Sequence, residues 1–166
     1  MTTSSTSAHP LRPTVRVLLL DPNDRILLLR GRLPGQRRGP GSWFTVGGGL
    51  EAGETHHEAA VREIREETGI ADVALGPVVW LREGLLHIPH PAQFQEQYIV
   101  ARCGGGEPSR DGWTALERDL IQDIRWWTLP ALAATRDLVF PPGLVDLLRP
   151  VLAGEFPAQP HRIPWA

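Results

Sequence analysis

The chain has 166 residues, 42% of them hydrophobic, and a formal net charge of −2. That is enough for one domain with a sizeable core, and the near-neutral charge offers no broad basic footprint, so no nucleic-acid partner is expected. The single cysteine, Cys103, excludes an intrachain disulfide and suits a reducing cytoplasm, and without a membrane-length apolar run or a signal-peptide core neither a membrane nor an export route is expected.

All 17 basic residues are arginine, a bias that codon usage in a GC-rich genome explains without any function. Residues 1–12 read as a flexible tail, 13–153 as the domain and 154–166 as a Pro-rich tail without clear structure. Residues 14–20 are β-rich, and Asp21-Pro22-Asn23-Asp24 forms a turn into a second strand over 25–30. A loop rich in Gly, Pro and Arg covers 31–41. A short strand at 43–46 runs into three consecutive glycines. A helix follows, opened by Thr55 and closed by Gly69. Strands are expected over 74–83, where Gly76-Pro77 weakens the start, and over 93–103, with a polar connection between them. After a loop at 104–112, a strand at 123–128 leads into a short helix at 131–135. A last helix spans 144–152. No internal repeat is visible. This order reads as an α+β domain, a mixed sheet between helices.

The densest information lies in residues 48–70, GGLEAGETHHEAAVREIREETGI. Thr55 followed by Glu58 is a capping box, and Gly69 is a C-terminal cap. Residues 57, 61, 64 and 68 share one face, with Val61 and Ile64 as its apolar members. Glu63, Glu66 and Glu67 lie at i, i+3 and i+4 and are expected to cluster away from it. Like charges at that spacing cost about 0.2–0.5 kcal/mol per pair. Carboxylates in the last turn cost about 0.3–1 kcal/mol each against the helix dipole. Arg62 and Arg65 offset part of this. A solvated helix face selected for stability would carry lysine or arginine there; a bound dication reverses the sign of the whole penalty. Oxygen ligands with no Cys or His at zinc spacing point to Mg²⁺ or Mn²⁺. Such ions commonly bridge to phosphates, so attack of water on a phosphate anhydride is the chemistry suggested.

The stretch resembles the Nudix box. Gly48, Glu54, Arg62, Glu63, Ile64, Glu66, Glu67, Gly69 and Ile70 match its pattern without exception. Seven fixed identities coincide by chance with a probability on the order of 10⁻⁸ per starting position. The lead-in Trp43 to Gly48 also resembles the family's strand and turn, with Val46 where proline is frequent. The resemblance extends over most of residues 14–152 and implies an α/β/α sandwich with a mixed sheet.

By that resemblance, Glu66 and Glu67 are principal metal ligands, and Glu63 is a ligand or the general base. Arg62 orients the glutamates, Glu54 supports the loop or a further metal, and the carbonyl of Gly47 completes the coordination. Gly48 belongs to the supporting turn. The implied activity is a Mg²⁺- or Mn²⁺-dependent pyrophosphohydrolase acting on a nucleoside diphosphate linked to another moiety. A non-catalytic nucleotide-binding sensor on the same fold is the alternative. Homodimers are common in the family. Past the box stand Leu85, Leu86 and His87, where ADP-ribose enzymes carry a proline and dinucleoside polyphosphate enzymes a tyrosine. The Ser-Gln-Pro-Trp pattern of NADH pyrophosphatases is also missing, so the substrate stays unread.

Outside the box, Glu96 on a later strand is a candidate extra carboxylate. Glu117 and Asp119, in an expected loop, are weaker ones. Arg32, Arg37 and Arg38 flank the Gly-rich loop, and a planar guanidinium suits phosphate. Trp80, Trp126 and Trp127 are candidates for base stacking, with core packing as the simpler role. Trp126 and Trp127 must point to opposite faces of their strand. His56 and His57, in the first helical turn, are expected to be exposed or capping.

Overall fold

The first strand, β1 (Leu11–Leu20), is apolar on both faces over its second half, which marks a strand at the centre of a sheet covered on both sides. The computed structural model describes residues 9–32, 38–87 and 90–165. In it β1 is the fourth of seven strands. The others are β2 (Ile26–Gly31), β3 (Ser42–Gly49), β4 (Val73–Leu86), β5 (Ala92–Cys103), β6 (Ile121–Trp127) and β7 (His161–Arg162), in the order β6-β2-β3-β1-β5-β4-β7. β1–β5 and β4–β7 are parallel and the remaining ladders antiparallel. The sheet is therefore mixed, as expected.

Strand alternation divides the core into two layers. Val15, Val17, Leu19 and Val46 face helix α1 (His56–Thr68), where they meet Ala59, Ala60 and Ile64. Leu18, Leu20, Trp43, Trp80 and Tyr98 face the other way. There they pack with Leu132 of α3 (Leu129–Ala134) and with Leu144, Leu148 and Val151 of α4 (Leu144–Leu152). The result is an α/β/α sandwich. Trp80 and Trp127 are buried in this second layer, with Trp127 edge-on to Trp43 at 5.0 Å between ring centroids. Such a pair adds about 1 kcal/mol beyond area burial. Trp126 packs on the α1 side, opposite Trp127.

Four local expectations change. β1 begins at Leu11, because Leu11 and Arg12 pair with Gln93 and Phe94. The connection after residue 83 is shorter than expected, because β4 and β5 continue as a hairpin to Leu86 and Ala92. Glu117 and Asp119 sit in a short helix, α2 (Ala115–Leu120), where Thr114 and Glu117 repeat the capping box of α1. Glu117 thus spends its carboxylate on the Thr114 amide at 2.8 Å. Finally, the Pro-rich C-terminal segment supplies β7 alongside β4, and Ile163 is buried behind it. No helix among the described residues is long and apolar enough to cross a membrane.

Candidate active site

α1 begins as its sequence dictates. Thr55 Oγ1 accepts from the Glu58 amide at 3.1 Å, and Glu58 Oε2 accepts from the Thr55 amide at 3.3 Å. At the other end Gly69 adopts φ 75° and its amide donates to Arg65 O at 2.9 Å. These caps hold the helix in register over β3 and β1.

The face it buries differs from the expected one. His57 is exposed and Val61 only half-buried, whereas Ala59, Ala60, Glu63, Ile64, Glu67 and Thr68 are buried. The stripe is centred on Ala60, Ile64 and Glu67. Two alanines carried its apolar signal, and alanines weigh little in a periodicity count. Glu63 and Glu67 therefore lie on the core side, not away from it; Glu66 stays half-exposed.

Glycines make room for them. A Cβ on Gly48 would come within 2.3 Å of Glu63 Oε1, so the carboxylate occupies the space a side chain would fill. Gly47 has φ 148°, and a Cβ there would meet Val15 O at 2.1 Å. Its amide donates to Glu67 Oε2 at 3.4 Å. The missing side chain of Gly48 thus leaves room for Glu63, and that of Gly47 lets β3 pass the Val15 carbonyl of β1.

Arg62 gathers the carboxylates. Nε and Nη2 hold Glu54 Oε2 and Oε1 at 2.7 and 2.8 Å. Nη1 donates to Glu63 Oε1 at 3.0 Å and to Glu66 Oε2 at 3.2 Å, and Nη2 also donates to Gly49 O at 3.1 Å. Hydrogen bonds from Arg62, then from the Glu51 amide, lower the Glu54 pKa to about 2. The Arg62 guanidinium is correspondingly locked in its charged form, chiefly by Glu54. The structure brings Glu54, Arg62, Glu63, Glu66 and Glu67 together around the Gly47-Gly48 turn.

Glu63 and Glu67 lie close enough for each carboxyl to act on the ionisation of the other. Burial, then the neighbouring Glu63 charge, pushes the Glu67 carboxyl well above the ordinary carboxylate range; the charge of Arg16 and the Gly47 amide pull the other way. Burial raises Glu63 as well, against the opposing pull of Arg62. Two buried carboxyls in one site resist joint ionisation, and Arg16 and Arg62 offset only part of the cost. That is the electrostatic demand a divalent ion satisfies, and the donor set is all oxygen, as hard cations require. Among the described residues no group of three or more His, Cys, Asp or Glu side chains is placed to hold a metal ion by itself. An ion that keeps several waters needs no such group. The residues present fit such an ion.

Glu96 lies elsewhere. By strand alternation it shares the face of Tyr98, the α4 side of the sheet. Its Oε1 accepts from Arg16 Nε at 3.1 Å; its Oε2 accepts from Arg82 Nη1 and from the Tyr98 hydroxyl, each at 3.1 Å. This buried network lines a cavity of about 420 Å³ with Phe44, Phe140 and Trp165 at its walls. Arg16 joins the two regions: it pairs with Gly47 in the β1–β3 register, lines the cavity, and its charge acts on Glu67. Arg32 also lines the cavity, facing the Gln122 amide oxygen at 2.8 and 2.9 Å when that amide is turned toward it. Arg38 is exposed, and Arg37 lies outside the described residues. A shallower groove of about 530 Å³, bounded by Val61, Arg65 and Leu75, flanks Glu66 on the outer side of α1.

Sequence reasoning did not find Arg16, Arg82 and Tyr98. Each sits in a strand whose neighbours dominate the pattern, and only the β1–β5–β4 register assembles them. Trp113 was also missed. It donates to Glu67 O at 2.7 Å and packs against the α1 layer, tying the loop before α2 to the end of the carboxylate helix.

Residues 10–148 match the NUDIX domain. The NAD-capped RNA hydrolase NudC of Pseudomonas aeruginosa is 30% identical over 130 residues, covering 75% of this chain and 39% of that protein. The RNA pyrophosphohydrolase of Caulobacter vibrioides is 40% identical over 145 residues, covering 80% of each. The chain thus spans well under half the length of NudC. Among solved structures, the E. coli ORF135 protein superposes with a TM-score of 0.64 at 22% identity, over 91% of this chain and 96% of that one. The MutT protein of Methanosarcina mazei Go1 gives 0.60 at 22%, over 91% and 98%. At that identity these two speak for the fold. Together with the box on α1, the domain match decides the assignment: the chain belongs to the NUDIX domain family.

Proposed function

We propose that this chain is a pyrophosphohydrolase that uses Mg²⁺ or Mn²⁺ to cleave the phosphate anhydride of a nucleoside diphosphate linked to another moiety. The observation that carries the reading is the buried pair Glu63 and Glu67, packed against side-chain-free Gly47 and Gly48 and clamped from outside by Arg62. Glu67 and Glu63 would hold the ion with the Gly47 backbone, and Glu66 would complete the set from the solvent side. When bound, the ion supplies charge neutralisation at the anhydride and an activated water. Arg62 keeps the carboxylates aimed, and Glu63 or Glu66 takes the proton from the attacking water. Glu54 fixes Arg62 in turn. The geometry of Glu96 supports a place in the cavity that receives the rest of the substrate. A cytoplasmic setting suits the lone free thiol of Cys103.

The relatives' names favour a second substrate, the 5′ end of RNA. Against it stand the net charge of −2 and the missing Ser-Gln-Pro-Trp pattern. A binding-only sensor can dispense with these carboxylates, whereas this chain keeps every residue of the box. The test is a panel of nucleoside diphosphate sugars, dinucleotides, nucleoside triphosphates and 5′-capped RNA oligomers, each with Mg²⁺, Mn²⁺ or chelator. Metal-dependent release of a nucleoside monophosphate, phosphate or pyrophosphate is expected. Tight binding with no turnover of any compound would move the chain to the sensor reading.

A further inference from the structure

The last described residues fold back onto β4. Ile163 N–H donates to Leu81 O at 2.9 Å, and Arg82 Nε donates to Pro164 O at 3.2 Å. Arg82 Nη2 donates to Trp165 O, and its guanidinium lies 4.3 Å from the Trp165 ring centroid. The ring stacks near Phe94 at 6.4 Å and 29°. It rests where Gly84 lacks a side chain, since a Cβ there would come within 1.9 Å of it. Trp165 thereby reaches the cavity that Glu96, Arg16 and Arg82 line. It also lies beyond residues 10–148, the stretch that matches the family.

We propose that residues 161–165 form a wall of the substrate cavity and that Trp165 is a specificity-determining residue there, selecting a moiety with an aromatic nucleobase. This rests on the reading of the site as a nucleotide hydrolase. The cavity, at about 420 Å³, falls in the usual range for small-ligand sites, about 300–1,000 Å³. Phe44, Phe140 and Trp165 offer aromatic surface, and 38% of Phe140 is left open. Arginines beside aromatic rings suit a flat, electron-rich ring. The segment is held from β4 at both its backbone and its ring, so the wall is preorganised. Trp165 acts on the bound moiety through shape and on Arg82 by holding its guanidinium toward Glu96.

The experiment is calorimetric binding of two probes, adenosine 5′-(α,β-methylene)diphosphate and methylenediphosphonate, to the full chain with Mg²⁺. Trp165→Ala should weaken the adenosine probe about tenfold and leave the base-free probe unchanged, with Trp165→Phe restoring most of the loss. Gly84→Ala, which keeps the indole and displaces it, should weaken the adenosine probe similarly. Equal loss for both probes would show a merely structural role and overturn the inference. So would an unchanged adenosine affinity in Trp165→Ala, or no adenosine binding by the wild type. Hydrolysis is scored separately: a wild type that binds through Trp165 and cleaves nothing keeps this inference and sinks the enzymatic reading.

Discussion

Arg62 holds Glu54 with both edges of its fork, at 2.7 and 2.8 Å, across the loop that enters α1. The partner is eight residues back, so the grip closes the loop while the remaining amino group aims Glu63 and Glu66. Lysine cannot reproduce that geometry. Arg62→Lys should therefore lower hydrolysis about 10–100-fold at limiting metal, and excess Mg²⁺ should recover part of it. Rates measured across a Mg²⁺ titration decide the matter. A variant with unaltered metal dependence would remove Arg62 from its role in orienting the carboxylates.

The glycine turn separates function from folding. Gly48→Ala would push the carboxyl end of the Glu63 side chain and no backbone atom. It should fold with a near-normal Tm and lose about 10²-fold in rate, the scale of an ångström-sized misplacement. Gly47→Ala would drive a Cβ into the Val15 carbonyl at φ 148°, and a loss above about 4 kcal/mol is expected. Thermal melts and rates on the two variants give the comparison. Equal destabilisation of both would contradict it.

Asp21 sets an acid limit on stability. It is buried at the end of β1 and accepts from the Asn23 and Arg25 amides at 2.9 and 2.8 Å and from Arg25 Nε at 2.7 Å. Burial alone would raise its pKa, but these bonds outweigh it and hold the carboxyl below the ordinary value. A depressed folded-state pKa means stabilisation that is complete above the unfolded pKa and is lost as pH falls through the folded one. Asp21→Asn should cost about 2 kcal/mol at pH 7. Urea unfolding at stepped pH should show the gap between wild type and variant closing below about pH 4. A gap independent of pH would mean the charge plays no part.

Much of this was legible beforehand because the box residues are local. Caps, glycines and carboxylates sit within one turn-and-helix unit, so spacing grouped Glu63, Glu66 and Glu67, and the resemblance to the box added Glu54 and Arg62. The face of α1 was misjudged because Ala59 and Ala60 bury it while Val61 sits half outside. Glu96 read as a carboxylate without an environment; Arg16 and Arg82 lie 80 and 14 residues away and meet it only through strand register. β7 was invisible for a related reason. Two residues beside prolines carry no period, and their pairing depends on the edge that β4 offers.

The central claim is that the buried carboxylates of α1 perform metal-dependent anhydride hydrolysis. The most direct measurement is the steady-state rate of wild type and Glu67→Gln on whichever compound of the panel is cleaved fastest, with Mg²⁺ in excess. Glutamine keeps the size and the Gly47 contact but removes the charge. The rate should fall roughly 10³-fold, the several kcal/mol expected when an ion's hold is lost, with the fold intact by thermal melt. Undiminished hydrolysis by a folded Glu67→Gln would contradict the account.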